Sequence, residues 1–209
     1  MTPWIVLTGA ALVLLLIGEL RDLPILKAAM KPLASAGYLG AAIAAGALVE
    51  PYGQAILVAL VLCWIGDLAL LGKGKAALLG GLGAFLLGHL GFVGAFLIHG
   101  FDDKVALSAA ALLSPVVAGA LWWLWPKVSP DMRRPVLAYI AVITTMVATS
   151  AGAVSAGLPT RVGVGAALFF VSDLFVARNR FVAPGSINRL IGLPLYYAGV
   201  TLLATSMAR

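Results

Sequence analysis

Charge is what this chain has least of. Only 11% of its 209 residues are charged, and only eight are acidic; soluble domains carry roughly 25% charged residues. With 62% hydrophobic residues and a mean hydropathy of +1.07, the composition excludes a soluble globular domain and describes a polytopic membrane protein. Cysteine is nearly absent. Cys63 stands alone in an apolar run, which excludes a disulfide framework and a cysteine-based zinc site and leaves the redox compartment open. Two histidines, His89 and His99, exclude a three-histidine zinc centre. Asp and Glu can still bind a metal, but no spacing points to one. The net charge of +6 is not a nucleic-acid footprint, because Lys and Arg in a membrane protein mostly mark the cytoplasmic loops. The glycine-rich runs Gly80-Gly81-Leu82-Gly83 and Gly163-Val164-Gly165 follow no strand and precede no Gly-Lys-Ser/Thr, so they do not read as phosphate loops. In lipid such residues let helices pack closely.

What the chain does have is long apolar runs. They are continuous rather than alternating, which favours helices over a barrel. A span takes about 20 mostly apolar residues. Eight segments qualify: Pro3–Leu20, Leu33–Val49, Gln54–Leu71, Ala76–His99, Val105–Trp125, Val136–Gly157, Arg161–Ala177 and Asn188–Met207. The N-terminus has no basic region ahead of its apolar stretch, so residues 4–20 read as a retained first helix rather than a signal peptide. The predicted fold is all-α, one transmembrane domain of eight helices over residues 1–209. Of 14 Lys and Arg, 11 fall in the first, third, fifth and seventh loops, and the even loops and termini hold only Lys104, Arg161 and Arg209. This bias puts the odd loops in the cytoplasm and both termini outside. The expected location is the bacterial inner (cytoplasmic) membrane.

A weak internal repeat is visible. Lys31-Pro32-Leu33 and Arg134-Pro135-Val136 are offset by 103 positions, and Asp67 and Asp173 by 106. Two motifs at nearly one offset point to parallel four-helix halves, about 1–105 and 106–209, related by an axis along the membrane normal. Chance is the competing reading.

The polar residues inside the spans are the candidates for chemistry. Asp67 and Asp173 each follow a small residue near the cytoplasmic end of a helix. A carboxylate in a span costs roughly 2.5–3.5 kcal/mol on the permissive insertion scale, so each asks for a reason. Two carboxylates at one depth form a natural acid/base pair, one protonated and one ionised. The bland alternative pairs each with a nearby base, Asp173 with Arg178 or Arg180 for example. His89, in mid-helix, is a functional candidate or a structural bond to a neighbouring helix. Tyr139, Tyr196 and Tyr197 enter their helices from the same side. Lys31, Arg178 and Arg180 suit a phosphate or, more blandly, lipid headgroups. Trp122, Trp123 and Trp125 read as an interfacial belt. Ser150 and Ser172 have no histidine at a recognisable spacing, which argues against a serine hydrolase.

Taken together, Lys31-Pro32-Leu33, Gly66-Asp67, Phe85-Leu86-Leu87-Gly88-His89-Leu90, Tyr139 with Met146, Ser172-Asp173 followed by Arg180-Phe181, and Tyr196-Tyr197 resemble the YhhN-like lysoplasmalogenase family. Leu195 and Val200 depart from it, standing where the family usually has Thr and Gln. The resemblance implies an eight-helix membrane hydrolase that cleaves the vinyl ether bond of lysoplasmalogens, releasing a fatty aldehyde and glycerophosphoethanolamine or glycerophosphocholine. That chemistry needs a proton donor for the alkenyl carbon and a second carboxylate, and strictly needs no nucleophile, redox cofactor or metal. Asp67 and Asp173 are expected in these roles, with His89, Tyr139, Tyr196 and Tyr197 around them and Lys31 and Arg178 toward the phosphate. Partners are thus an alkenyl lysophospholipid and the bilayer, with no nucleic acid. The alternatives are a small proton- or cation-coupled transporter using the same aspartates, and a non-catalytic lipid-binding protein.

Overall fold

The structure, a computed structural model, describes residues 1–208; Arg209, counted above with the termini, lies outside the described residues. Eight α-helices follow one another: α1 Thr2–Leu20, α2 Pro24–Ala44, α3 Pro51–Ala69, α4 Gly74–His99, α5 Asp103–Leu124, α6 Pro130–Ser155, α7 Arg161–Ala177 and α8 Ser186–Ala204. A 3₁₀ turn, Trp125–Lys127, extends α5, and a π turn, Arg178–Val182, extends α7. There is no strand among the described residues. Seven of the helices are long and apolar enough to cross a membrane, and the protein is an integral membrane protein. The exception is α2, whose first half carries Lys27 and Lys31 and whose second half is rich in Ala and Gly.

Local chemistry explains the boundaries. Proline opens α1, α2, α3 and α6, where its missing N–H costs nothing. Asp102 caps α5, accepting from the backbone N–H of Lys104 and Val105 at 2.9 and 3.1 Å. Gly100 ends α4 with φ +97°, a conformation open to glycine at little cost. The sequence placed the second helix at Leu33–Val49, but it begins at Pro24 and ends at Ala44. Lys27 and Lys31 look like loop residues yet sit in this helix. Their ammonium groups are paired, Lys27 with Asp22 and Lys31 with Asp67.

Consecutive helices pack as antiparallel hairpins, with one exception at α4–α5. The bundle closes where α8 returns to α1 and α2, and α4 packs across it on α6. The core is a layer of Leu15, Tyr38, Ile56, Leu60, Phe92, Phe96, Met146, Phe169 and Tyr197. A smaller cluster of Leu78, Leu124, Val128, Met132 and Val136 lies toward the odd-loop end. Large apolar side chains such as Val6, Leu112 and Trp122 cover the outside, as expected for a surface facing lipid.

Candidate active site

A cavity of about 620 Å³ opens among the helices and takes wall residues from all eight. Its two ends differ in chemistry. Lys27, Lys73, Asn179, Arg180 and Arg189 stand at the odd-loop end, while Leu82, Phe85, Val117, Ile140 and Ile143 make an apolar wall deeper in. Asp67, Tyr139, Asp173 and Tyr196 all line it.

Asp67 is 2% exposed and surrounded by donors. Tyr196 Oη donates to its Oδ2 at 2.7 Å and Ser35 Oγ at 2.8 Å. Lys31 Nζ lies 3.3 Å from Oδ1. A second layer holds the donors in place. Tyr197 Oη donates to the Lys31 carbonyl at 3.1 Å and meets Ser35 Oγ at 3.0 Å. Tyr38 Oη lies 3.3 Å from Tyr196 Oη. Two hydroxyls and an ammonium are thus aimed at one carboxyl group, all as donors to its oxygens.

Asp173 has a different setting. Tyr139 Oη donates to its Oδ2 at 2.8 Å, and His89 Nε2 lies 3.3 Å from the same oxygen and 3.1 Å from Tyr139 Oη. Tyr139 and His89 thus meet Asp173 at a single carboxyl oxygen. His89 is fully buried and packs edge-on against Phe169, with ring centres 4.5 Å apart. No Lys or Arg pairs with Asp173 among the described residues, and its side chain is 17% exposed, open to the cavity.

The sequence-derived candidates therefore separate into two groups. Asp67, Asp173, His89, Tyr139, Tyr196, Tyr197 and Lys31 converge on the two carboxyl clusters. Arg178 does not join them. It donates to Asn188 Oδ1 at 2.5 Å, and Asn188 in turn holds the π turn through the Ala183 carbonyl and Asn179. Lys31 is committed to Asp67 rather than to the surface. The suggested Asp173 pairing with Arg178 or Arg180 is absent among the described residues. Ser150 and Ser172 donate to carbonyls of their own helices. His99 packs at a tilt against Tyr52 at the other end of α4. No three His, Cys, Asp or Glu side chains converge as a metal site among the described residues.

Ser35 and Tyr38 were missed in the sequence. They follow Lys31 at i+4 and i+7, one face of a helix. That pattern is visible only once α2 is known to start at Pro24.

No solved structure matches this chain. Lysoplasmalogenase TMEM86A of Bos taurus is 29% identical over 166 residues, covering 76% of this chain and 67% of the relative. Lysoplasmalogenase TMEM86A of Homo sapiens is 30% identical over 165 residues, with the same coverage. A family model matches residues 26–207, a stretch that contains every residue of both carboxyl clusters, and the chain belongs to the YhhN family.

Proposed function

We propose that this protein is a lysoplasmalogen hydrolase, cleaving the vinyl ether bond of a single-chain alkenyl glycerophospholipid into a fatty aldehyde and glycerophosphoethanolamine or glycerophosphocholine. The observation that carries the reading is the pair of aspartates with unlike partners on the wall of one amphipathic cavity. The names of the relatives support the substrate class.

In this mechanism Asp173, held by Tyr139 and His89, gives its proton to the alkenyl carbon distal to the ether oxygen. The carbon next to oxygen becomes an oxocarbenium ion. The Asp67 carboxylate, fixed by Lys31, Ser35 and Tyr196, takes a proton from the water that adds there. The hemiacetal then collapses. Asp67 returns its proton to the departing glyceryl oxygen, and Asp173 regains one from the hemiacetal hydroxyl, leaving aldehyde and alcohol. A preset carboxylate costs no reorganisation as positive charge develops, and each positioned acid or base is worth roughly 10²–10⁴-fold. Lys73 and Arg180 form no ion pair among the described residues and line the cavity end, so they take the phosphate role that Lys31 and Arg178 leave vacant.

The same reading completes the membrane picture. α2 crosses as the eighth span, its lysines neutralised within the bundle. Residues 1–209 form one domain in the bacterial inner membrane, with odd loops cytoplasmic and both termini outside. The two halves are parallel repeats. Ser35 and Tyr139, Asp67 and Asp173, and His89 and Tyr196 are 104, 106 and 107 positions apart, and each pair occupies matching helices around its aspartate.

The test is fatty aldehyde release from alkenyl lysophosphatidylethanolamine by purified protein in detergent, with the acyl lysolipid as control. Asp67→Asn and Asp173→Asn are expected to lose at least about 100-fold while remaining folded. Arg180→Gln should raise KM for this lipid but not for alkenylglycerol, which lacks the phosphate. No aldehyde from folded wild type across lipid compositions and pH would overturn the reading and favour a carrier.

A further inference from the structure

We propose that the seam between α4 and α5 is the hydrocarbon-chain subsite of the cavity and its door to the bilayer; this rests on the function proposed above. Every other consecutive helix pair packs along its length, and α8 packs back on α1, but α4 and α5 share no extended packed interface among the described residues. They are joined by only three residues, Gly100 to Asp102, so the gap is not a matter of a long connection. α5 leans on α6 instead, and only 6% of its apolar stretch is buried, against 22–50% for the other candidate spans.

The cavity reaches this seam. Leu78 and Leu82 of α4 and Val117, Ala120 and Leu124 of α5 are among its walls. Leu78 and Leu124 are buried in one apolar cluster and close the seam toward the odd loops. Further along, Val117 and Ala120 are only half-buried.

The chemistry of the walls selects the occupant. They offer no polar group to a headgroup, whereas the opposite end of the cavity offers Lys73 and Arg180. A single-chain amphiphile fits both, with its phosphate at the basic end and its chain running out through the seam. The bond to be cleaved, between chain and headgroup, then falls in the stretch lined by Asp67 and Asp173. The equivalent junction between the two halves, where α8 meets α1, is packed and pinned by Glu19 and Arg189 at 2.7 Å, which leaves one door rather than two.

The experiment uses an alkyl lysophosphatidylethanolamine with a diazirine at the chain end. This ether lipid has no vinyl bond, so its capture does not depend on turnover. Adducts are expected on the α4 and α5 peptides carrying Leu82, Val117 and Ala120. Ala120→Trp and, separately, Val117→Trp should suppress them and lower long-chain relative to short-chain turnover by about tenfold, the scale on which apolar pockets discriminate chain length. Because α4 does not pack closely on α5 there, neither side chain has to displace it. Adducts confined to α1, α8 or the loops, or unchanged in both tryptophan variants, would overturn the seam. Seam adducts without aldehyde from the alkenyl lipid would uphold the seam and sink the hydrolase reading; aldehyde with adducts elsewhere would do the reverse.

Discussion

The residue that most changes meaning between sequence and structure is Lys31. In the sequence it reads as a surface cation ahead of a helix. In the fold its ammonium is 3.3 Å from Asp67 and its side chain 13% exposed. Removing one partner of a buried pair strands the other charge, at a cost of about 3–5 kcal/mol. Lys31→Met should therefore lower the melting temperature in detergent and abolish turnover. Lys31→Met combined with Asp67→Asn should recover stability but not activity, since no charge is left stranded while the carboxylate is still missing. Equal melting temperatures for wild type and Lys31→Met would remove Lys31 from the ion-pair role. Arg178 shows the opposite lesson. It belongs to the loop scaffold through Asn188, and its basic character said nothing of that.

At the scale of elements, the placing of Asp173 on α7 and of Tyr196 on α8 depends on how closely the two helices approach. A Cβ on Gly199 would stand 2.8 Å from the Gly165 carbonyl oxygen, and one on Gly165 would stand 2.9 Å from the Gly199 oxygen. The obstructing atoms are backbone, so the helices themselves must separate. Gly199→Ala is expected to destabilise by about 1–3 kcal/mol, the usual cost of overpacking, and to weaken turnover by displacing Tyr196, one turn away. Gly80→Ala, with open space around it, is the control and should melt with wild type. If the two variants melt alike, the close crossing is not what holds α8. The density of glycine in the sequence announced close packing in general. Which glycines face each other depends on helix rotation, which composition does not encode.

For the whole molecule, the cavity opens among the odd loops, where the basic residues gather. If the positive-inside bias sets orientation, this end is cytoplasmic. The single native cysteine, Cys63, is buried, so a Cys63→Ser background is expected to be silent. In it, Lys104→Cys should react with a membrane-impermeant maleimide on intact cells, and Lys73→Cys only after permeabilisation. The reverse pattern would invert the topology and place the cavity mouth on the outer face.

The sequence by itself determined the features that are local along the chain. Length and continuity of apolar runs, proline and glycine at helix ends, and the scarcity of charge together define eight helices with errors of a few residues. α2 was displaced furthest, and α6 begins at Pro130 rather than Val136, because Lys27, Lys31, Arg133 and Arg134 were read as loop residues. The rarity of charge also singled out Asp67 and Asp173, since a carboxylate in an apolar span is costly wherever the span packs. The tertiary structure decided what each carboxylate meets. Tyr196 reaches Asp67 across 129 positions and His89 reaches Asp173 across 84, and such pairings depend on the rotation and tilt of whole helices. The unlike donor sets, the engagement of Lys31 and Arg178, and the unpacked α4–α5 seam all follow from that packing, which no local pattern specifies.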